Sequence, residues 1–168
     1  MMETPRAMLN APAVAAAHPR LEGFVMGTND LAKDLGAAHT PDRVPLIASL
    51  GLCLLAARAE GLICVDGVYN AFQDQEGLRA ACVQGRDMGF DGKTLIHPDQ
   101  LAVTNEVFAP SPDEIALAEA QVEAFESATA RGEGVAVLNG RIIENLHVAS
   151  ARRLLARAAA IAAMASAS

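Results

Sequence analysis

Three short apolar runs, "GFVMG" at 23–27, "LICVDGVY" at 62–69 and "KTLIHP" at 93–98, are each followed by a turn signal and then by residues at helical spacing. This order predicts βα units and a parallel sheet, because parallel neighbours need a helical crossover between them. Residues 45–61 repeat Leu, Ile and Ala at helical spacing and stop at Gly61; residues 74–89 open on acidic side chains and stop at Gly89. Both read as covering helices, with glycine placed for the C-terminal turn and acids near the positive end of the helix dipole. Residues 5–17 read as one Ala-rich helix with Pro5 in its first turn.

After Pro98 the pattern changes to a short helix, the break "APSPDE", and a long amphipathic helix ending near Gly132. Ser111 is placed to cap the long helix, with Pro112 at its first position and Asp113 and Glu114 behind it. "EGVAVLNGRIIEN" at 133–145 predicts a hairpin about Asn139-Gly140, a dipeptide suited to a type I′ turn. An Ala/Arg/Leu helix follows. The expected division is 1–108 for the β/α region and 109–168 for the remainder.

A chain of 168 residues is the size of one ordinary domain, and with 52% apolar residues but few aromatics it should be rich in helix. The formal net charge of −7, without any stripe of Lys and Arg, argues against nucleic acid as a partner. Cys53, Cys64 and Cys82 have no zinc-site spacing and are expected to be buried reduced thiols. No segment has the pattern of a signal peptide or the roughly 20 apolar residues of a membrane span, so a cytoplasmic location is expected.

Glu3 and Asp30 each stand at the entry to a helix, at equivalent places in consecutive units. Two readings of Asp30 are open. It can cap the helix that follows, or it can serve as a metal ligand or catalytic carboxylate at the carboxyl end of a strand. A hard cation such as Mg²⁺ takes one or two carboxylates and completes its shell with water and substrate oxygens.

The segments "ETPRAMLNA", "GTNDLAKDLG", "DGVYNAFQDQEGLRAACVQGRDMGFDGKTLIHPDQL" and "NEVFAPSPDEI", in that order, resemble the citrate lyase beta-subunit-like and malyl-CoA lyase family of the HpcH/HpaI aldolase superfamily. The resemblance runs over nearly the whole chain, and "GFDGKTLIHPDQ" followed by "VFAPSPDE" is its most specific part. It implies an α/β fold, the C-terminal half of a (β/α)₈ TIM barrel covering strands five to eight, followed by a helical and hairpin C-terminal lid and oligomerisation segment. It implies Mg²⁺ as cofactor, held by Glu3 and Asp30 at the ends of the fifth and sixth strands, and a CoA thioester as substrate.

Gly27, Thr28, Asn29, His97 and Pro98 fall where substrate or CoA would bind, although a structural turn role fits His97 equally. Asp66 is open to a ligand-orienting role or to strand-end hydrogen bonding. "NGRIIEN" matches the lid motif whose acidic residue, usually Asp, acts in a neighbouring subunit of a trimer or hexamer. Glu144 stands there and is the expected catalytic acid/base. Glu for Asp moves the carboxylate by about 1.5 Å, and the "NLH" that follows it resembles the tails of a subgroup with malyl-CoA lyase and thioesterase-like members.

The implied reaction is Mg²⁺-dependent cleavage of a 3-hydroxyacyl-CoA of malyl-, citramalyl- or citryl-CoA type into acetyl-CoA and a 2-oxo acid, or hydrolysis of the thioester. Family members are nearly twice as long, so the chain is expected to be truncated and weakly active or inactive alone. The alternative is an inactive remnant or regulatory partner that binds a homologous barrel subunit.

Overall fold

The computed structural model describes residues 1–166, which form two compact units that divide after Phe108. In the first, β1 (Gly23–Val25), β2 (Ile63–Asp66) and β3 (Gly92–Lys93) make a parallel sheet in that order, with Gly23 opposite Ile63 and Asp66 opposite Lys93. Met2 adds a parallel bridge to Met26. Its N–H donates to the Val25 carbonyl at 2.7 Å, and its own carbonyl accepts from Gly27 N at 2.9 Å.

Six helices accompany these strands: α1 (Pro5–Leu9), α2 (Ala11–Ala15), α3 (Thr28–Leu35), α4 (Ile47–Ala59), α5 (Gln75–Met88) and α6 (Leu101–Phe108). Side chains alternate across the sheet with the period of two that a pleated strand imposes. Phe24, Met26, Cys64 and Asp66 are buried, whereas Gly23, Val25, Ile63 and Val65 are not, and Ile63 is 54% exposed. Phe24, Met26 and Cys64 share one core with Leu50 and Cys53 of α4 and Leu78 and Cys82 of α5. Helices therefore pack on one face of the sheet.

Local signals place the helix ends. Asp74 caps α5 by accepting from Gly77 N at 2.9 Å, and Gly89 ends it in the left-handed region at φ +106°. Cys53, Cys64 and Cys82 are free and buried, as expected. Contact with Cys53, together with burial, pushes the Cys64 thiol well above its ordinary value.

Two expected elements differ. The helix over 5–17 is broken into α1 and α2 at Asn10, because Pro12 has no N–H for the Met8 carbonyl and its ring crowds the preceding turn. The strand over 93–98 is cut short after Lys93. Thr94 still donates through both N and Oγ1 to the Asp66 carbonyl, each at 3.0 Å. Ile96 N then turns to the Gln100 side chain at 3.0 Å, and Pro98–Gln100 forms a 3₁₀ turn.

In the second unit, α7 (Pro112–Ala130) opens on a capping box: Ser111 Oγ accepts from Glu114 N, and the Glu114 carboxylate accepts from Ser111 N at 2.8 Å. Strands β4 (Ala136–Leu138) and β5 (Arg141–Ile143) pair antiparallel about Asn139 and Gly140, whose φ values of +50° and +74° are those of a type I′ turn. Helix α8 (Asn145–Ser166) follows, and Ala128, Ala136, Ile143 and Val148 form this unit's own core.

Candidate functional site

The carboxyl ends of the parallel strands are where an α/β fold gathers functional side chains, because loops there diverge and leave a crevice. In this chain Glu3 follows the Met2 bridge, and Gly27 follows β1 and caps α3. A Cβ built on Gly27 would run into Glu3 Cβ and lie 2.8 Å from Glu3 Oε2. Glycine is therefore required sterically for the Glu3 carboxylate to rest at the start of the turn that carries Asp30.

Asp30 is not the helix cap. Gly27 occupies that position without a side-chain bond, and Asp30 is the third residue of the first turn, exposed. Neither Glu3 nor Asp30 makes a side-chain hydrogen bond or ion pair among the described residues, so both carboxylates remain available. Asp30 also lines an open pocket of about 280 Å³, together with Met1, Gly27, Thr28, Val68, Thr94 and Ile96. No group of three or more His, Cys, Asp or Glu side chains is arranged to hold a metal among the described residues. Glu3 and Asp30, the two acids expected to hold a cation, are hard oxygen groups of the kind Mg²⁺ takes, one or two at a time, with its remaining positions left to water and substrate.

The other residues expected here divide. Gly27, Thr28 and Asn29 all line the pocket, with Thr28 buried and Asn29 exposed. The Asn29 amide is engaged in a reciprocal pair with Asn70, at 3.0 Å and 2.8 Å, that ties the start of α3 to the loop after β2. His97 and Pro98 are outside the pocket lining. His97 stacks on Phe72 with ring centroids 4.5 Å apart, and its Nδ1 accepts from Asp99 N at 3.2 Å, so it caps the 3₁₀ turn.

Asp66 faces the helices and is completely buried. Its carboxylate accepts from Arg43 Nη1 at 2.8 Å and 2.7 Å, from Lys93 Nζ at 2.9 Å and from Gly67 N at 2.8 Å. Burial is the main cause that lowers the Lys93 pKa, partly opposed by Asp66. Sequence reasoning overlooked Arg43, Asn70 and Lys93. Lys93 sits in a quoted motif, but the partners of Arg43 lie 23 and 41 residues away and leave no local signal.

Glu144 belongs to the second unit, between β5 and α8. Its carboxylate is exposed and has no partner among the described residues. Its backbone begins α8: the carbonyl accepts from His147 N and Val148 N, and its own N–H donates to His147 Nδ1 at 3.0 Å.

At the rim, the Tyr69 hydroxyl donates to Asp74 at 2.7 Å. This bond raises the phenol's pKa above 10.0 and lowers that of Asp74 below 3.8. The stabilisation from the lowered Asp74 is present above pH 3.8 and is lost as pH falls through its folded value. Tyr69 is the chain's single tyrosine, and there is no tryptophan, so phenolate absorbance reads this one group. Its midpoint is expected above pH 10.0, and Asp74→Asn is expected to bring it down towards 10. A wild-type midpoint at or below 10.0 contradicts the bond.

No helix among the described residues is long and apolar enough to cross a membrane. Residues 1–98 match the family model described as HpcH/HpaI aldolase/citrate lyase. The chain is 67% identical over 163 residues to a (3S)-malyl-CoA thioesterase of Cereibacter sphaeroides, covering 97% of this chain and 57% of that protein. It is 33% identical over 154 residues to citrate lyase subunit beta of Leuconostoc mesenteroides subsp. cremoris, covering 92% and 51%. Its fold is similar to that of the protein CitE from Mycobacterium tuberculosis in complex with magnesium, acetoacetate and coenzyme A, with a TM-score of 0.76 at 30% identity over 93% of this chain and 58% of that one. The chain spans just over half the length of the curated relatives it matches. The match over residues 1–98, together with the identity to these relatives along nearly the whole chain, makes this chain a member of the HpcH/HpaI aldolase/citrate lyase family.

Proposed function

We propose that the chain carries the metal-binding half of a Mg²⁺-dependent enzyme acting on a 3-hydroxyacyl-CoA thioester of malyl-CoA type. In this reading its βα units are the later half of a (β/α)₈ barrel, completed by β/α units outside these 168 residues. The observation that carries the reading is that the Glu3 side chain rests against Gly27, that Gly27 and Asp30 both line an open pocket, and that neither carboxylate has a partner among the described residues. The partial exposure of Gly23, Val25, Ile63 and Val65 supports the barrel, because parallel sheets are ordinarily covered on both faces.

Glu3 and Asp30 hold Mg²⁺, which when bound supplies Lewis-acid stabilisation of negative charge on substrate oxygens. Gly27 leaves room for the Glu3 carboxylate, and Thr28 and Asn29 frame the pocket. Glu144 is the acid/base, delivered in a homo-oligomer to a neighbouring subunit's site. In hydrolysis it takes a proton from water as the oxygen attacks the thioester carbonyl. The C–S bond breaks, and the proton passes to the leaving thiolate. In lyase chemistry it takes the 3-hydroxyl proton as the C2–C3 bond breaks, and returns it to the acetyl carbon. The 67% identity to a malyl-CoA thioesterase favours hydrolysis.

The test supplies malyl-CoA and Mg²⁺ to the chain joined to the complementary β/α units, and measures free CoA thiol and 2-oxo acid separately. Thiol release without 2-oxo acid is expected, and Glu144→Ala should lower it by about 10²-fold or more. Turnover that is indifferent to Glu144→Ala and to removal of Mg²⁺ would falsify the assignment. Binding of the chain to a homologous barrel subunit with neither product formed supports a regulatory partner instead.

A further inference from the structure

Arg43 has φ +55°, and the only other non-glycine residue with positive φ among the described residues is Asn139, in the hairpin turn. Asn tolerates this region through its short polar side chain, whereas for Arg it is a strained conformation. The compensation lies in the guanidinium, whose side chain is only 13% exposed. Nη1 bonds both oxygens of Asp66, and Nε donates to Gln84 Oε1 at 2.6 Å. Gln84 in turn donates to the Asp42 carbonyl at 2.6 Å, so the loop before α4 is closed onto α5 and β2 together.

Charge balance does not explain this arrangement. Lys93 alone would neutralise Asp66. Arg43 adds a second buried cation, and its Nη2 is buried without a hydrogen-bond partner among the described residues. Both features weaken the fold relative to a simple pair. What Arg43 adds is a fixed position for Asp66, and two segments of the pocket wall are held through Asp66. Asp66 Oδ1 holds Gly67 N, and a Cβ on Gly67 would run into Thr28, the first residue of α3. The Asp66 carbonyl holds both N and Oγ1 of Thr94. Arg43 itself lines a smaller cavity of about 90 Å³ that shares Thr28, Asn29 and Val68 with the larger pocket.

We propose that Arg43 is a positioning residue: by clamping Asp66 it sets the place of the Thr28–Asp30 turn and of Thr94, and so the carboxylate-bearing wall of the pocket. Its importance for function rests on Asp30 being a working ligand, as proposed above. Amide hydrogen exchange on the full chain tests the positioning without any metal. In Arg43→Met, the Leu31 and Thr94 amides should exchange about 10-fold faster relative to Leu54 within α4, which reports the first unit's stability. Arg43→Lys, which keeps one donor and the charge, should recover part of the protection. Arg58→Met removes an arginine with bonds to the Leu62 and Gly89 carbonyls, and should leave the Leu31 and Thr94 amides unchanged relative to Leu54. Uniform acceleration of all amides in Arg43→Met, or none at Leu31 and Thr94, overturns the proposal.

Mn²⁺, followed by its electron paramagnetic resonance, separates this result from the metal reading. Arg43→Met should weaken Mn²⁺ binding about 10-fold and Asp30→Ala should abolish it. If wild type and Asp30→Ala behave alike towards Mn²⁺, the metal reading fails and the exchange pattern alone decides the role of Arg43.

Discussion

Asp30→Ala is expected to lower turnover of malyl-CoA by at least about 10²-fold in the completed enzyme while leaving the fold intact. Even groups one step removed from a metal typically change affinity or activity 10–100-fold, and a direct ligand, the role proposed for Asp30, should do no less. The side chain is exposed and unpartnered, so its removal should fall within the roughly 0.5 kcal/mol that such surface changes usually produce. Two measurements check this: the Mg²⁺ dependence of turnover, and the urea midpoint of wild type against variant. Undiminished turnover would remove Asp30 from the ligand set, whereas a large shift in midpoint would mean that Asp30 supports the fold instead.

Asp66→Ala should have the opposite signature. Removing the buried carboxylate leaves Arg43 and Lys93 as buried cations without a counter-charge and frees the bonds to Gly67. Breaking a buried ion pair from one side costs about 3–5 kcal/mol, a large share of a typical domain's stability. Urea unfolding followed by the fluorescence of Tyr69, which lies in the first unit, reads that loss directly. Asp66→Asn, which keeps the shape and part of the hydrogen bonding, should lie between wild type and Ala. A loss below about 1 kcal/mol in Asp66→Ala would show that water reaches the two cations and that the cluster is not a closed buried network.

The elements legible in the sequence share one property: their signals are contained within a few consecutive residues. Ser111 with Glu114 and Asp74 with Gly77 are hydrogen-bonded across three positions, and Asn139 and Gly140 take the turn's positive-φ backbone side by side, so residue type and spacing suffice to place them. The end of β3 was less legible. "KTLIHP" has the composition of a strand, but the Asp66 carbonyl and the Gln100 side chain take up the backbone of Thr94 and Ile96, and neither partner can be inferred from the run itself. Pro12 gave a local warning of the break between α1 and α2, outweighed in an Ala-rich stretch.

The candidate site divides in the same way. Position at the entry to a helix left Glu3 and Asp30 open to a capping role, and the resemblance singled them out, with Gly27, as site residues. Periodicity and capping chemistry determined the βα alternation, the long capped helix and the hairpin, because each depends on neighbours in sequence. Only the tertiary structure decided that Gly27 must be glycine to admit Glu3, that Asn29 is held by Asn70, and that Asp66 faces the helices with Arg43 and Lys93 upon it. These contacts join residues 23 to 41 positions apart, and one in a left-handed backbone. Their energy comes from burial and from hydrogen-bond geometry, which exist only after the strands and helices have packed.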